Sequence, residues 1–299
     1  MIAVLGGLLC LRYLNGGLRP AGVGGMFTEQ RSLMGTVWTI EVPDHGRSQE
    51  SARLAVAAAY RELERIDALM SEWKPESPIS QVDAAAGVQP VEVPAELREL
   101  IERSVAYSQQ TEGTFDITWR GMGKIWHFDD AFQVPSTAAV ARARKSVDYR
   151  AIQIQGNRIF LPAGMSIGLG GIAKGYAVDR AARVLARAGF TDSLVDGGGD
   201  LLASGTKYGK PWRLGVQNPR AEHGKILGVV SLSNAALVSS GDYERFRIVD
   251  GIRYHHIIDP RTGWPANASI GVTVLAKSAE QGVVLGKGIF ILGPEKGLA

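Results

Sequence analysis

Ile167-Gly168-Leu169-Gly170-Gly171-Ile172-Ala173-Lys174-Gly175-Tyr176 turns a glycine-rich loop directly into a helix. The helical pattern runs from about Ala173 to Ala188, and Gly189 closes it as a C-terminal cap. Glycines ahead of a helix let backbone N–H groups approach a ligand closely. The helix N-terminus adds a partial positive charge worth roughly 0.3–1 kcal/mol to an anion. Lys174 in the first turn is placed to contact a phosphate. The spacing is that of neither a Walker loop nor a Rossmann fingerprint, and close packing of a helix start would use the same glycines.

Downstream, a short strand at Ser193–Val195 enters Asp196-Gly197-Gly198-Gly199-Asp200. Apolar runs then follow between turns: Trp212–Val216, Ile226–Leu232, Ala236–Val238, Phe246–Val249, Tyr254–Ile258 and Ile270–Leu275. Upstream, Thr36–Val42 alternates and is rich in β-branched residues, which predicts a strand. Ala52, Val56, Ala59, Leu63, Ile66 and Met70 recur on one helical face until Lys74-Pro75-Glu76-Ser77-Pro78 ends the pattern. A second helix is predicted over Pro94–Gln110, with Leu97, Leu100, Ile101, Val105 and Ser108 on one side. A short one is predicted over Thr137–Val147, and Gly156-Asn157 reads as a hairpin turn within Ile152–Leu161. Helices and strands mingle without regular βαβ alternation. The class is therefore α+β, with mixed or antiparallel sheets, flanking helices and one domain over 27–299.

The chain of 299 residues is 45% hydrophobic and 21% charged, which is globular composition, and its net charge is only +3. No dense Lys/Arg block is present, so nucleic acid is not expected as a partner. With Cys10 the only cysteine, no intrachain disulfide or cysteine metal cluster can form. Met1–Leu11 is apolar and uncharged. It is shorter than the about 20 residues that span a bilayer, yet long enough for the apolar region of an export signal. Residues 1–26 are accordingly read as an export signal or membrane anchor. That places the chain in the periplasm or on the inner membrane facing it, and in the cytoplasm if the segment is no export signal.

Two further segments carry chemistry. The Asp196–Asp200 turn is suited to a ribose or a cation, or is a tight turn with solvated acids. Tyr254-His255-His256-Ile257-Ile258-Asp259-Pro260-Arg261-Thr262-Gly263 ends a strand on a polar turn that Pro and Asp shape locally. His256 there is a candidate general base or ligand contact, or a satisfied structural histidine.

Taken in order, several blocks resemble the FAD:protein FMN transferase (ApbE) family. They are Gly170–Asp179, Gly198-Gly-Asp200, Ser240-Gly-Asp-Tyr-Glu244 and His256-Ile-Ile-Asp-Pro-Arg-Thr-Gly263. Met34-Gly-Thr36, Met70-Ser-Glu-Trp73 and Gly113-Thr-Phe-Asp-Ile-Thr118 match earlier blocks, and the resemblance spans about 34–297. It implies an α+β, single-domain flavin transferase that cleaves FAD with the help of Mg²⁺. FMN passes to a Thr or Ser of an acceptor protein, typically a membrane redox subunit, and AMP is released. By position, Met34, Trp73 (usually Tyr), Thr114, Phe115, Asp116, Lys174, His256 and Ile257 would line the flavin nucleotide. Gly171 would offer its carbonyl to the metal, and His256 or a neighbouring acid would take the acceptor's proton.

The chain departs from that pattern where the metal is concerned. Gly168 stands where the family has Asp, and Val283 and Lys287 stand in slots for an Asp and a Thr that bind Mg²⁺. Val cannot ligate a hard cation and Lys repels one. Trp119–Lys124 also replaces the usual segment, and the chain lacks the family's usual C-terminal end. Two expectations therefore stand together. Either the chain binds FAD without transferring FMN, or Lys287 and Arg120 replace the metal.

Overall fold

Trp38, Ile40 and Val42 lie on one face of the strand Thr36–Pro43 and are fully buried, as their alternation predicts. Thr39 and Glu41 on the other face are buried too, with Lys207 Nζ 3.6 Å from the Glu41 carboxylate. A strand with one wet face would leave those polar residues in water, so this one belongs to a sheet covered on both sides. The computed structural model describes residues 25–298. The export signal or anchor read in Met1–Leu11 lies outside the described residues.

The described chain gathers into two compact units. The first holds the residues up to Asp67, Lys174–Ser239 and Thr273–Val283. Its six-stranded sheet has the order Met26–Leu33, Thr36–Pro43, Ser193–Gly197, Asp200–Ser204, Ala235–Gly241, Gly271–Ala276. The first four junctions of that order are antiparallel. A tight turn at Met34 and Gly35, both left-handed (φ 51° and 72°), joins the first two strands. The helix Gln49–Met70 buries Ala52, Val56, Ala59, Tyr60, Leu63 and Ile66. Its Tyr60 hydroxyl lies 2.8 Å from the Glu29 carbonyl and 3.1 Å from that of Trp38, which ties helix to hairpin. Leu194, Leu201, Trp212, Leu214 and Leu232 pack together beside the paired strands Trp212–Gln217 and Ile226–Leu232.

The glycine-led helix spans Ala173–Arg187, and Gly189 (φ 86°) ends it, with Phe190 N–H donating to Leu185 O at 2.9 Å. Asp179 on that helix accepts the N–H groups of Ala279 and Glu280 at 2.8 and 3.0 Å. It thereby caps the start of the last helical segment, Ala279–Gly297, which breaks at Gly293 (φ 82°) ahead of Pro294.

The second unit holds Ala68–Ala173, Ser240–Val272 and Val284–Ala299. Met122, Trp126, Val140 and Ile258 form one of its cores with Phe128, Phe132, Tyr254 and Trp264 around them. Trp126 Nε1–H donates to Gly263 O at 2.9 Å. The three-stranded sheet Val91–Glu92, Arg158–Phe160, Gln153–Gln155 turns at Gly156 (φ 58°).

Elements not expected from sequence include the edge strand Met26–Leu33, the short helices Pro78–Ala84 and Arg120–Gly123, the strands Val91–Glu92 and Asp200–Ser204, and the helix that starts at Ala279. The run Tyr254–Ile258 is a strand only as far as His255. On Ala95–Gln110 the buried stripe continues through Ser104 and Ser108, not Val105. Each of these serines donates to the carbonyl four residues back, at 2.7 and 2.8 Å, so neither polar group is left unpaired. Among the described residues no helix is long and apolar enough to cross a membrane.

Candidate active site

Trp73, Thr114, Phe115, Asp116, Gly171, His256 and Ile257 belong to the second unit, and Met34 and Lys174 to the first. In the second unit the chain leaves Ala95–Gln110 through Glu112 and Gly113, both left-handed (φ 52° and 75°). Gly113 N–H donates to Ser108 O at 2.8 Å, and the Thr114 hydroxyl to Thr111 O at 2.8 Å. Asp116 accepts the N–H and hydroxyl of Thr118 at 2.8 and 2.7 Å, and the Tyr149 N–H at 3.0 Å. Burial pushes its pKa up while these donors pull it down. Thr114 and Asp116 therefore hold the turn in shape and set the buried Phe115 inside it.

Phe115 faces Gly171. A Cβ at Gly171 would lie 3.2 Å from Phe115 Cε2 and 3.8 and 3.9 Å from Cε and Cδ of Lys287. The next residue, Gly288, would bring a Cβ to 3.2 Å from Thr111 Cγ2 and 3.4 Å from Thr114 Oγ1. The last helix thus lies closely against the Thr111–Phe115 turn, with the Lys287 stem passing the 3-10 turn Leu169–Gly171.

Behind that turn is a buried ionic cluster. A side chain at Gly168 would begin 2.8 Å from Glu72 Oε2 and 3.2 Å from Arg120 Cβ. The Glu72 carboxylate occupies that space and accepts N–H groups from Leu169 and Gly170. Arg120 donates to the Glu72 carbonyl at 2.7 Å and pairs with the carboxylates of Glu72 (3.7 Å) and Asp83 (3.4 Å). Asp83 in turn accepts Ile167 N–H at 2.8 Å, and burial pushes its pKa up to about 6. The guanidinium also lies 5.7 Å from the ring of Trp73, which is 84% exposed. Glu72 and Asp83 escaped the sequence reading. Glu72 sat in a matched block as one more surface acid, and nothing local marked Asp83.

The two adjacent histidines separate cleanly. His255 is satisfied: Nε2 meets Ala266 O at 2.5 Å, which requires the proton there, and Nδ1 accepts Ile257 N–H at 3.3 Å. His256 is half-buried, its N–H donates to Arg245 O at 3.1 Å, and its Nδ1 is buried without a hydrogen bond. Burial, with Arg245, His255 and Lys287 nearby, pushes its pKa down to about 3. At neutral pH the ring is uncharged and can accept a proton. Ile257 packs with Ala266, Phe290 and Ile291, so it offers a ligand its backbone.

In the first unit, Met34 sits at the hairpin tip in the left-handed region, an uncommon place for a non-glycine residue. Lys174 Nζ is 3.2 Å from Asp200 Oδ2, so a phosphate would share this lysine with a carboxylate. Asp196 accepts Gly199 N–H at 2.8 Å, and burial with Asp200 beside it raises its pKa to about 7. Gly198 (φ 73°) is required there, since a Cβ would collide with the Thr36 hydroxyl.

The donor set does not suit Mg²⁺. Gly171 can supply only a backbone carbonyl, Gly168 has no side chain, and Lys287 is a cation. In the first unit, Val283 is apolar and buried, with Cγ2 2.8 Å from where a Cβ at Gly175 would sit. Among the described residues no group of three His, Cys, Asp or Glu is placed to hold a metal ion.

Comparison with known proteins gives this arrangement a context. The ApbE family model matches residues 34–299. The FAD:protein FMN transferase of Treponema pallidum is 30% identical over 91% of this chain and 80% of its own. That of Klebsiella pneumoniae is 30% identical over 98% of this chain and 87% of its own. Among solved structures, the ApbE protein of Thermotoga maritima superposes with a TM-score of 0.82 at 32% identity, covering 90% of this chain and 87% of that one. The apo flavinyl transferase ApbE of Pseudomonas stutzeri gives 0.82 at 27%, covering 94% and 89%. With its α+β architecture shared and nearly its whole length matched, the chain belongs to the ApbE family.

Proposed function

We propose that this chain transfers FMN from FAD to a Thr or Ser hydroxyl of an acceptor protein and releases AMP. The observation that carries the reading is the near-full-length match to relatives bearing that activity as their name. The acceptor oxygen attacks the phosphorus on the FMN side of the diphosphate. The bond to the AMP phosphate breaks, and its electron pair leaves with AMP. Such a reaction asks the protein for positioning and charge stabilisation more than for covalent chemistry.

The hydroxyl proton goes to His256, whose buried Nδ1 is neutral and unengaged. A diphosphate bound beside the ring raises its basicity, because an adjacent negative charge favours the protonated form. Phe115 is buried against Gly171 and backs that turn, and Trp73 offers an exposed ring. The acceptor in this reading is a membrane redox subunit, met on the periplasmic side if Met1–Leu11 is an export signal or anchor.

The test is incubation of full-length protein with FAD and a flavinylatable acceptor domain, followed by in-gel flavin fluorescence. A fluorescent acceptor band whose appearance tracks AMP release is the expected result. Tight FAD binding with no band would identify a flavin-binding relative without the chemistry.

A further inference from the structure

We infer that the FAD diphosphate is neutralised by the Lys287 ammonium in place of a divalent metal ion, so that neither binding nor transfer requires one. The inference rests on the proposed function for the identity of the ligand. Its structural basis lies wholly in the second unit.

The Lys287 stem runs 3.8–3.9 Å from the point where a side chain at Gly171 would begin. It therefore passes the mouth of the turn Leu169–Gly171, where Gly170 is exposed and Gly171 half-buried. Lys287 and Arg245 both act electrostatically on His256 and help to keep that ring uncharged. The Lys287 and Arg245 charges thus act at one corner of the unit beside a neutral imidazole. Such a corner attracts an anion and repels Mg²⁺. The Glu72 and Asp83 carboxylates lie 3.7 and 3.4 Å from the Arg120 guanidinium, and among the described residues no group of three His, Cys, Asp or Glu is placed to hold a metal ion. Mg²⁺ is ordinarily held through carboxylates, and the two here already lie beside a guanidinium, a poor cradle for a second cation.

A lysine is an adequate substitute in a specific sense. Its ammonium is a compact point charge on a flexible stem, which serves phosphate oxygens of varying geometry. In the transfer step it stays protonated and bonded to nothing new. It balances charge on the diphosphate as the bond to AMP breaks, while the hydroxyl proton goes to His256. The close approach of the helix at Gly288 fixes the register that brings Lys287 to this turn.

The experiment measures FAD binding by flavin fluorescence and FMN transfer by acceptor fluorescence, each in EDTA and in Mg²⁺. The wild-type chain is expected to bind FAD within twofold and to transfer FMN at comparable rates in both buffers. Lys287→Met should weaken FAD at least tenfold and leave the affinity for riboflavin, which has no phosphate, unchanged. Lys287→Arg should keep most of the FAD affinity. Loss of wild-type FAD binding or transfer in EDTA would overturn the inference and leave the transferase reading standing. Equal FAD affinity in wild type and Lys287→Met, or equal losses in the Met and Arg variants, would also overturn it. Metal-independent, Lys287-dependent FAD binding with no transfer in either buffer would uphold the charge assignment and refute the transferase reading.

Discussion

Asp196→Asn isolates the electrostatic load carried by the acidic glycine turn. Asp196 is 5% exposed at the end of a central strand, and its pKa rises from 3.8 to about 7, mainly by burial and then by Asp200. A folded-state pKa above the unfolded one means that folding favours the protonated acid. Below about pH 4 both states are protonated and nothing is lost. As pH rises toward 7 the unfolded chain ionises while the folded one does not, so stability falls, and above 7 the loss levels off. About three pKa units at 1.36 kcal/mol each give at most about 4 kcal/mol. The amide of the variant cannot ionise, and its oxygen can still accept the Gly199 N–H that Asp196 holds at 2.8 Å. Between pH 5 and pH 8.5 the variant should therefore gain roughly 2–3 kcal/mol on the wild type. Urea unfolding of both proteins at several pH values measures the gap. A difference that stays constant across that range would refute the assignment of a buried, near-neutral acid at this turn.

Met34→Asn should raise stability by up to about 1 kcal/mol, because Asn tolerates the left-handed backbone that Met34 is forced into; FAD affinity should fall if the Met side chain meets the flavin. Gly168→Asp should destabilise by about 1–3 kcal/mol, since its side chain starts 2.8 Å from Glu72 Oε2 and adds a second buried acid. Adding Glu72→Ala should recover part of that loss, and a thermal double-mutant cycle showing simple additivity would contradict the shared space. His256→Gln should retain FAD and slow single-turnover transfer by about 100-fold or more, the usual contribution of a positioned base; unchanged transfer would remove His256 from the chemistry.

The parts legible in the sequence are those whose pattern is local. Ala52 to Ile66 recur on one face and form the helix that buries them. The last helix was not legible, because Gly282, Gly286 and Gly288 each cost about 1 kcal/mol of helix propensity relative to Ala. The glycines are there for packing: a Cβ at Gly282 would meet Val238 at 2.8 Å and one at Gly288 would meet Thr111 at 3.2 Å. Both neighbours are distant in sequence. Met26–Leu33 is an edge strand with few apolar positions, so its alternation is faint. In the site, the order of motifs was readable. The Glu72–Arg120–Asp83 cluster was not, since its members come from separate segments and only burial distinguishes them from surface charges. Nor could spacing tell His255 from His256; that difference lies in which ring has its nitrogens satisfied.

The cap that Asp179 provides has a consequence for how the chain is made. Its two N–H partners are encoded 100 and 101 residues later. At synthesis rates of about 5–20 residues per second, they emerge about 5–20 seconds after the carboxylate that will bind them. Through that interval Asp179 must stay hydrated, and the helix that carries it cannot seal its inner face. Closure of the first unit therefore waits for residue 280, a late non-local step of the kind that folds slowly. Until residue 280 has left the ribosome, a nascent chain carries an open flank that chaperones can hold and proteases can reach.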